Sequence, residues 1–361
     1  PFTWGWEMCG RVIMGIIIFQ ILADLAQHKD RLLLATGLIA VLVGGIALLT
    51  SHWIPKSSVL FTLAQSMPKW NGLPGAEGGF NVNEIGGAMT WLLPFAFAMV
   101  IYELQARTHR VRLIVYAVAF ALLSLAVALG QSRMAIAGVL IVMLGQAALL
   151  IPRRTWKLAV CAAIIGLIVL EIGLVTGVFD SAADTQPDGS GVALNERDEQ
   201  SASTRLDIWS AGLRAVRDYP LTGVGINKFR GGDVRALYPV PGYERNVLPH
   251  AHNELLHVSL DMGIPGLIVY IGLHAALGVC LIRVWRRGER AAAVAVAGGV
   301  IAHAIFGLAD AVTLADRFIW VYWWLIGLGA ALYIQTTSTS AKQTSPPNPL
   351  SEKREGEEAR V

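Results

Sequence analysis

Long apolar runs broken by short charged loops fill the chain up to about position 176 and return after position 263. An α-helix needs roughly 17–25 such residues to cross the hydrocarbon core of a bilayer. Nine stretches qualify: 8–26, 32–50, 85–102, 113–129, 134–151, 158–176, 264–282, 291–308 and 318–334. The pattern therefore predicts an all-α polytopic membrane helix bundle. Six spans occupy 1–176 and three occupy 263–334, on either side of a long polar segment, 177–262. The tail, 335–361, is rich in Ser, Thr, Pro and Glu and carries too little apolar surface to fold, so it reads as disordered.

Loop charge sets the orientation. Lys29, Arg31, Arg107, Arg110, Arg112, Arg153, Arg154, Lys157, Arg283, Arg286, Arg287 and Arg290 fall on one side, against Lys56, Lys69, Arg133 and Arg317 on the other. Positive charge stays in the cytoplasm, so the polar segment is expected outside and the tail inside. Within the segment, Ile208, Gly212, Ala215 and Val216 recur at helical spacing and predict an amphipathic helix. Ser203 or Thr204 is its expected N-cap, and Tyr219-Pro220 ends it. A turn at Gly223 and Gly225 follows.

Residues 250–266 read HAHNELLHVSLDMGIPG. A short helix from Glu254 should stop at Gly263, which takes left-handed geometry without strain. Pro265 suits the first turn of the next helix. His252 then sits directly above a membrane span, where an imidazole can exchange protons near neutral pH.

Composition agrees and narrows the chemistry. Of 361 residues 54% are hydrophobic and 15% charged, against about 25% charged in soluble domains. The net charge of +3 lies in scattered loops, which excludes a nucleic-acid surface. Cys9, Cys161 and Cys280 all lie outside the polar segment, so no disulfide framework forms there. No paired-cysteine zinc pattern and no nucleotide-binding glycine loop occurs. His250, His252 and His257 raise a metal site, but His252 and His257 are five apart and point to different helix faces. No metal and no cofactor is expected. The chain begins at Pro1 with a weak first span, and about three preceding helices are expected in the intact protein.

The spacing His252-Asn253, nine residues, Gly263-x-x-Gly266 resembles the O-antigen ligase and O-antigen polymerase superfamily of bacterial membrane glycosyltransferases. Two further stretches carry the resemblance: QSRMAIAG at 131–138 and RLDIWSAGLRAVRDYPLTGVGINKF at 205–229. It implies a metal-independent, inverting transfer of glycan from a polyprenyl-diphosphate lipid to an acceptor hydroxyl, on the outer face of the bacterial cytoplasmic membrane. His252 would be the catalytic base. Arg133 and Arg205 would hold the donor diphosphate, Arg205 from the start of the amphipathic helix. Asn253, Asn83 and Asp310 would support them, with Asp316 a rival to Asp310. Undecaprenyl diphosphate is the carrier implied.

The acceptor stays open between a lipid A core, a second glycan repeat and a protein hydroxyl: ligase, polysaccharide polymerase or protein O-oligosaccharyltransferase. A small-anion transporter of the bicarbonate type is the rival from another class. A transporter gathers polar residues at the bilayer midplane, whereas most of this chain's candidates lie at one membrane edge. Glu171, His274 and His303 fall inside apolar spans, where ionisable groups are costly. They are expected to satisfy one another or to line a lipid groove.

Overall fold

A computed structural model describes residues 3–50, 66–67, 79–107, 109–175, 191–240, 250–312 and 316–344. The elements are α1 (Thr3–Asp24), α2 (Lys29–Thr50), α3 (Val82–Ala106), α4 (Arg110–Gly130), α5 (Arg133–Leu150), α6 (Arg154–Val175), α7 (Gly191–Asp218), α8 (Gly232–Leu237), α9 (Glu254–Arg286), α10 (Arg290–Phe306) and α11 (Ile319–Thr344). Each of the nine predicted spans falls on one of these helices. Among the described residues, six helices are long and apolar enough to cross a membrane: α2, α3, α4, α5, α9 and α11. The apolar α10 is shorter, at 17 residues. The molecule is an all-α polytopic membrane bundle. The α11 helix runs on to Thr344, ten residues past the predicted end of the last span, because Gln335–Thr344 contains no helix breaker.

The centre of the bundle is α3, whose Trp91, Leu92, Phe95 and Met99 are at most 1% exposed. Its start is capped by Asn81, whose side chain accepts from Asn83 N at 2.8 Å. Small residues let other helices come close to it. A Cβ on Gly299 of α10 would lie 2.1 Å from the Trp91 carbonyl oxygen. Without a hydrophobic drive between helices in lipid, such backbone approach is what packs them.

A second, smaller core belongs to the polar segment. Ile208, Ala211, Ala215 and Val216 of α7 are buried with Phe229, Val234, Tyr238 and Leu260. The period read from the sequence thus marks the buried face of α7, and the helix ends at Asp218 as Tyr219-Pro220 requires. Its beginning differs from expectation: α7 starts at Gly191, not at an N-cap near residue 204. The stretch VALNERDEQ is mostly Ala, Leu, Glu, Arg and Gln and contains neither Gly nor Pro, so nothing stops the helix from extending backwards.

Candidate functional site

The α9 helix explains why the His-Asn stretch has a fixed shape. Asn253 caps it, its side chain accepting from Leu256 N at 2.9 Å. The helix breaks at Gly263, which takes φ 69 and ψ −173, and Pro265 opens the continuation. His252, just before the cap, has φ 49. That left-handed conformation costs a non-glycine residue on the order of 1–3 kcal/mol and recurs at functional sites. It turns the His252 N–H back onto His250 Nδ1 at 3.1 Å.

Both histidines face one carboxylate. Asp310, on the segment leaving α10, is 3% exposed. Its Oδ1 lies 3.2 Å from His252 Nδ1 and 3.4 Å from His250 Nε2, and accepts from Ala311 N at 3.0 Å. Hydrogen-bond logic assigns the protons. His250 Nδ1 accepts from a backbone N–H, so its proton is on Nε2. Burial holds His250 neutral and pushes its pKa down to about 3, against the opposing pull of Asp310. Burial also works against ionisation of Asp310, but hydrogen bonds from His252 and from the Ala311 N–H oppose it, and the carboxyl stays below its usual range. A charged Asp310 facing Nδ1 places the His252 proton there and leaves Nε2 as the accepting nitrogen.

The same atoms raise a metal site again, with Asp310 in place of the His257 that the sequence suggested. His250, His252 and Asp310 offer ligand atoms within 4.8 Å of one another. The triple differs from the His252–His257 pair weighed above. His257 is instead tied to Asp261 Oδ2 at 3.5 Å and to Ala251 N at 3.3 Å. Coordination through His250 Nε2 would move its proton to Nδ1, against the His252 N–H that now donates there. In this geometry the triple fits a hydrogen-bond network better than a metal.

Arg133 is the first residue of α5, after a two-residue turn in which Gln131 takes φ 48. It is exposed, and the Ser132 side chain makes no capping bond to the helix. Helix-start amides beside a guanidinium form an anion-binding arrangement. This setting was expected for Arg205, which instead lies fourteen residues into α7, where amides are used within the helix. Arg205 keeps a different relation to the site. One turn on, Trp209 Nε1 donates to His252 O at 3.3 Å, and residues four apart share a helix face.

The start of α3 packs against the turn before Arg133 and against residues flanking Asp310, the acid of the His252–Asp310 dyad. A Cβ on Gly86 would meet Ser132 at 3.0 Å, and one on Gly87 would meet Phe306 and Val312. Asn83 stands in the first turn of α3, whose cap is Asn81. Of the rival acids, Asp310 pairs with His252, whereas Asp316 pairs with Arg230 at 3.2 Å. Nothing in the sequence marks Arg230 as the partner of Asp316, because a single arginine carries no signal of its own.

Below the dyad, a cavity of about 420 Å³ opens between α3, α9, α10 and α11. Its walls are mostly hydrocarbon, from Leu255, Ile271, Ile301 and Leu308, and its polar groups are Glu254, His274, His303, Tyr270 and Tyr322. His274 and His303 thus line a groove, as expected. They do not satisfy each other: His303 Nε2 meets Glu254 Oε2 at 2.8 Å and His274 Nδ1 meets Tyr270 O at 2.8 Å. The Glu171 side chain lies outside the described residues.

No curated protein gives a significant match to the chain. The O-antigen ligase family model matches residues 118–271, a range that contains Arg133, Arg205, His252, Gly263 and Gly266. Over that stretch, which holds the predicted site residues, the chain is similar to the O-antigen ligase superfamily of membrane glycosyltransferases.

Proposed function

We propose that this protein is an O-antigen ligase-type glycosyltransferase. It moves a glycan from a polyprenyl-diphosphate carrier to an acceptor hydroxyl at the outer face of the cytoplasmic membrane. The observation that carries the reading is the contact between His252 Nδ1 and Asp310 Oδ1 at 3.2 Å. With its proton held toward Asp310, the imidazole offers Nε2 as a base. The acceptor hydroxyl gives its proton to Nε2 while its oxygen attacks the anomeric carbon. The bond from that carbon to the diphosphate oxygen breaks on the opposite side, so configuration inverts. Asp310 then stabilises the imidazolium, the role an orienting carboxylate plays beside a catalytic histidine.

The leaving diphosphate carries its own charge, and preorganised cations stabilise it without a metal. Arg133 at the helix start and Arg205 on the α7 face that carries Trp209 are assigned that task. The cavity beneath the dyad, with its hydrocarbon walls, suits the first part of a prenyl tail. The acceptor assigned is a lipid A core, on the ligase-like form of the His-Asn spacing.

The test separates capture from transfer. Binding of a labelled undecaprenyl-diphosphate glycan and its transfer to a lipid A-core acceptor are measured for His252→Ala, Arg133→Lys and Arg205→Lys. Lysine keeps the charge but loses the paired hydrogen bonds of guanidinium, so both arginine variants should bind donor weakly. His252→Ala should bind donor normally and transfer about 10²–10⁴-fold more slowly. Loss of donor binding by His252→Ala equal to that of the arginine variants would move the histidine into the phosphate site. A glycan repeat and a serine-bearing peptide serve as the other acceptors, and transfer to either alone would reassign the enzyme as a polymerase or an oligosaccharyltransferase.

A further inference from the structure

The residues around the start of α9 are tied one after another to the end of α10. His252 Nδ1 meets Asp310 Oδ1 at 3.2 Å, Asn253 Nδ2 donates to Leu308 O at 3.0 Å, and Glu254 N donates to Gly307 O at 2.8 Å. One numbering rises as the other falls, so the contacts form a zipper. Its closed end is the side-chain contact between Glu254 Oε2 and His303 Nε2 at 2.8 Å. Even the spacing at Gly307 is set by this residue: a Cβ there would lie 2.6 Å from Glu254 Oε2.

His303 is itself anchored on α3. The Thr90 hydroxyl donates to Gly87 O at 2.5 Å, which leaves its oxygen to accept from His303 Nδ1 at 3.0 Å. Gly87 O lies 3.2 Å from the same nitrogen, and the Trp91 ring stacks on the imidazole at 4.1 Å. Nδ1 has only acceptors around it and therefore carries a proton. On the other side, Tyr270 OH donates to Glu254 Oε1 at 2.5 Å. Both oxygens of Glu254 are thus committed, and the residue is 7% exposed. With one partner already on each oxygen and little exposure, this carboxylate is assigned a holding role and not that of a second base.

We propose that the buried Glu254–His303 pair is a positioning element for the reaction, locking the start of α9 against α3 and α10 so that His252 is held to Asp310. The inference rests on the reading of His252 as the base. A buried pair with both partners in place adds little net stability over an apolar replacement, but it admits few geometries. His252 lies just outside the helix in a strained conformation, so its orientation depends on what holds its neighbours.

The experiment uses the full chain in nanodiscs, with the labelled undecaprenyl-diphosphate glycan as donor and a lipid A core as acceptor. Glu254→Leu/His303→Phe removes both polar partners together and leaves no unpaired charge. It should lower kcat about ten- to a hundredfold, the scale of a misplacement near 1 Å, beyond any change in donor KM from altering the cavity wall. In an Asp310→Asn background the same double change should cost almost nothing more, because it acts through that contact. Glu254→Gln can donate to His303 Nε2 and accept from Tyr270, so it should keep most of kcat. Tyr270→Phe, a milder lesion that preserves packing, should show the same non-additivity at smaller size. Full additivity with Asp310→Asn, or a Glu254→Gln as slow as the double variant, overturns the proposal. An Asp310→Asn with undiminished kcat instead overturns the reading of His252 as the base.

Discussion

Gly223 and Gly263 meet backbone to backbone. A Cβ on Gly223 would lie 2.8 Å from Gly263 N and 2.3 Å from Leu260 O, and both glycines take positive φ, 63 and 69. The break that Gly263 makes in α9 strands backbone groups, and the loop after α7 takes them up. Val224 N donates to Leu260 O and Ile264 N donates to Pro220 O, both at 2.7 Å. The polar segment is thereby joined to the membrane bundle at the break itself, which holds α7, through Trp209, against His252.

Gly223→Ala and Gly263→Ala should each therefore lower stability. The left-handed conformation alone costs a non-glycine residue about 1–3 kcal/mol, and at both positions the added carbon meets backbone that cannot swing aside. Thermal unfolding in nanodiscs reads the effect, and transfer should fall with it. An alanine at either position with an unchanged melting temperature would show that the two backbones do not touch.

Asp310→Asn should slow transfer by about 10²–10⁴ while donor binding stays intact, since the amide no longer enforces the Nδ1–H form of His252. Asp316→Asn should cost much less in rate, because Asp316 is occupied by Arg230. The two variants are compared under single-turnover conditions. A larger loss for Asp316→Asn would exchange the roles of the two acids.

The pH dependence of stability follows from His250, which burial holds down to about 3, below its ordinary 6.5. Above pH 6.5 the imidazole is neutral in both folded and unfolded chains, and the folded state bears no penalty. As pH falls from 6.5 toward 3, the unfolded chain takes up a proton that the folded one refuses, so stability declines. Asp310, held below its usual range, loses its own contribution only as pH falls past the ordinary 3.8 toward its lower folded value. Melting temperatures measured from pH 8 to pH 4 should drop below pH 6.5, with a shallower slope for His250→Gln. Equal slopes for variant and parent would place the penalty elsewhere.

Transfer should survive treatment with excess EDTA. The lone pairs of His250, and the tautomer of His252 that the proposed base requires, are already committed to hydrogen bonds. Loss of activity on chelation, restored by a divalent cation and abolished in His250→Gln, would mean that His250, His252 and Asp310 hold a metal.

Much of this was legible in the sequence because it depends on local pattern. Apolar runs of membrane length identify helices whatever surrounds them. The break at Gly263, the restart at Pro265 and the end of α7 before Pro220 each follow from the backbone limits of one residue. The α7 face was visible too, since helical spacing alone says that Ile208, Ala215 and Val216 share a side. The start of α7 was not, because a run without Gly or Pro contains no stop signal. Periodicity hid the partners too: Asp310 came only from the resemblance, beside its rival Asp316, and His303 had no assigned partner. Asp310 lies 58 residues from His252 and His303 lies 49 from Glu254, and no periodicity links positions on different helices. Which acid orients the imidazole, and which buried histidine holds the glutamate, was decided only when α3, α9 and α10 packed together, because a buried polar group must take whatever partner the tertiary fold brings within reach.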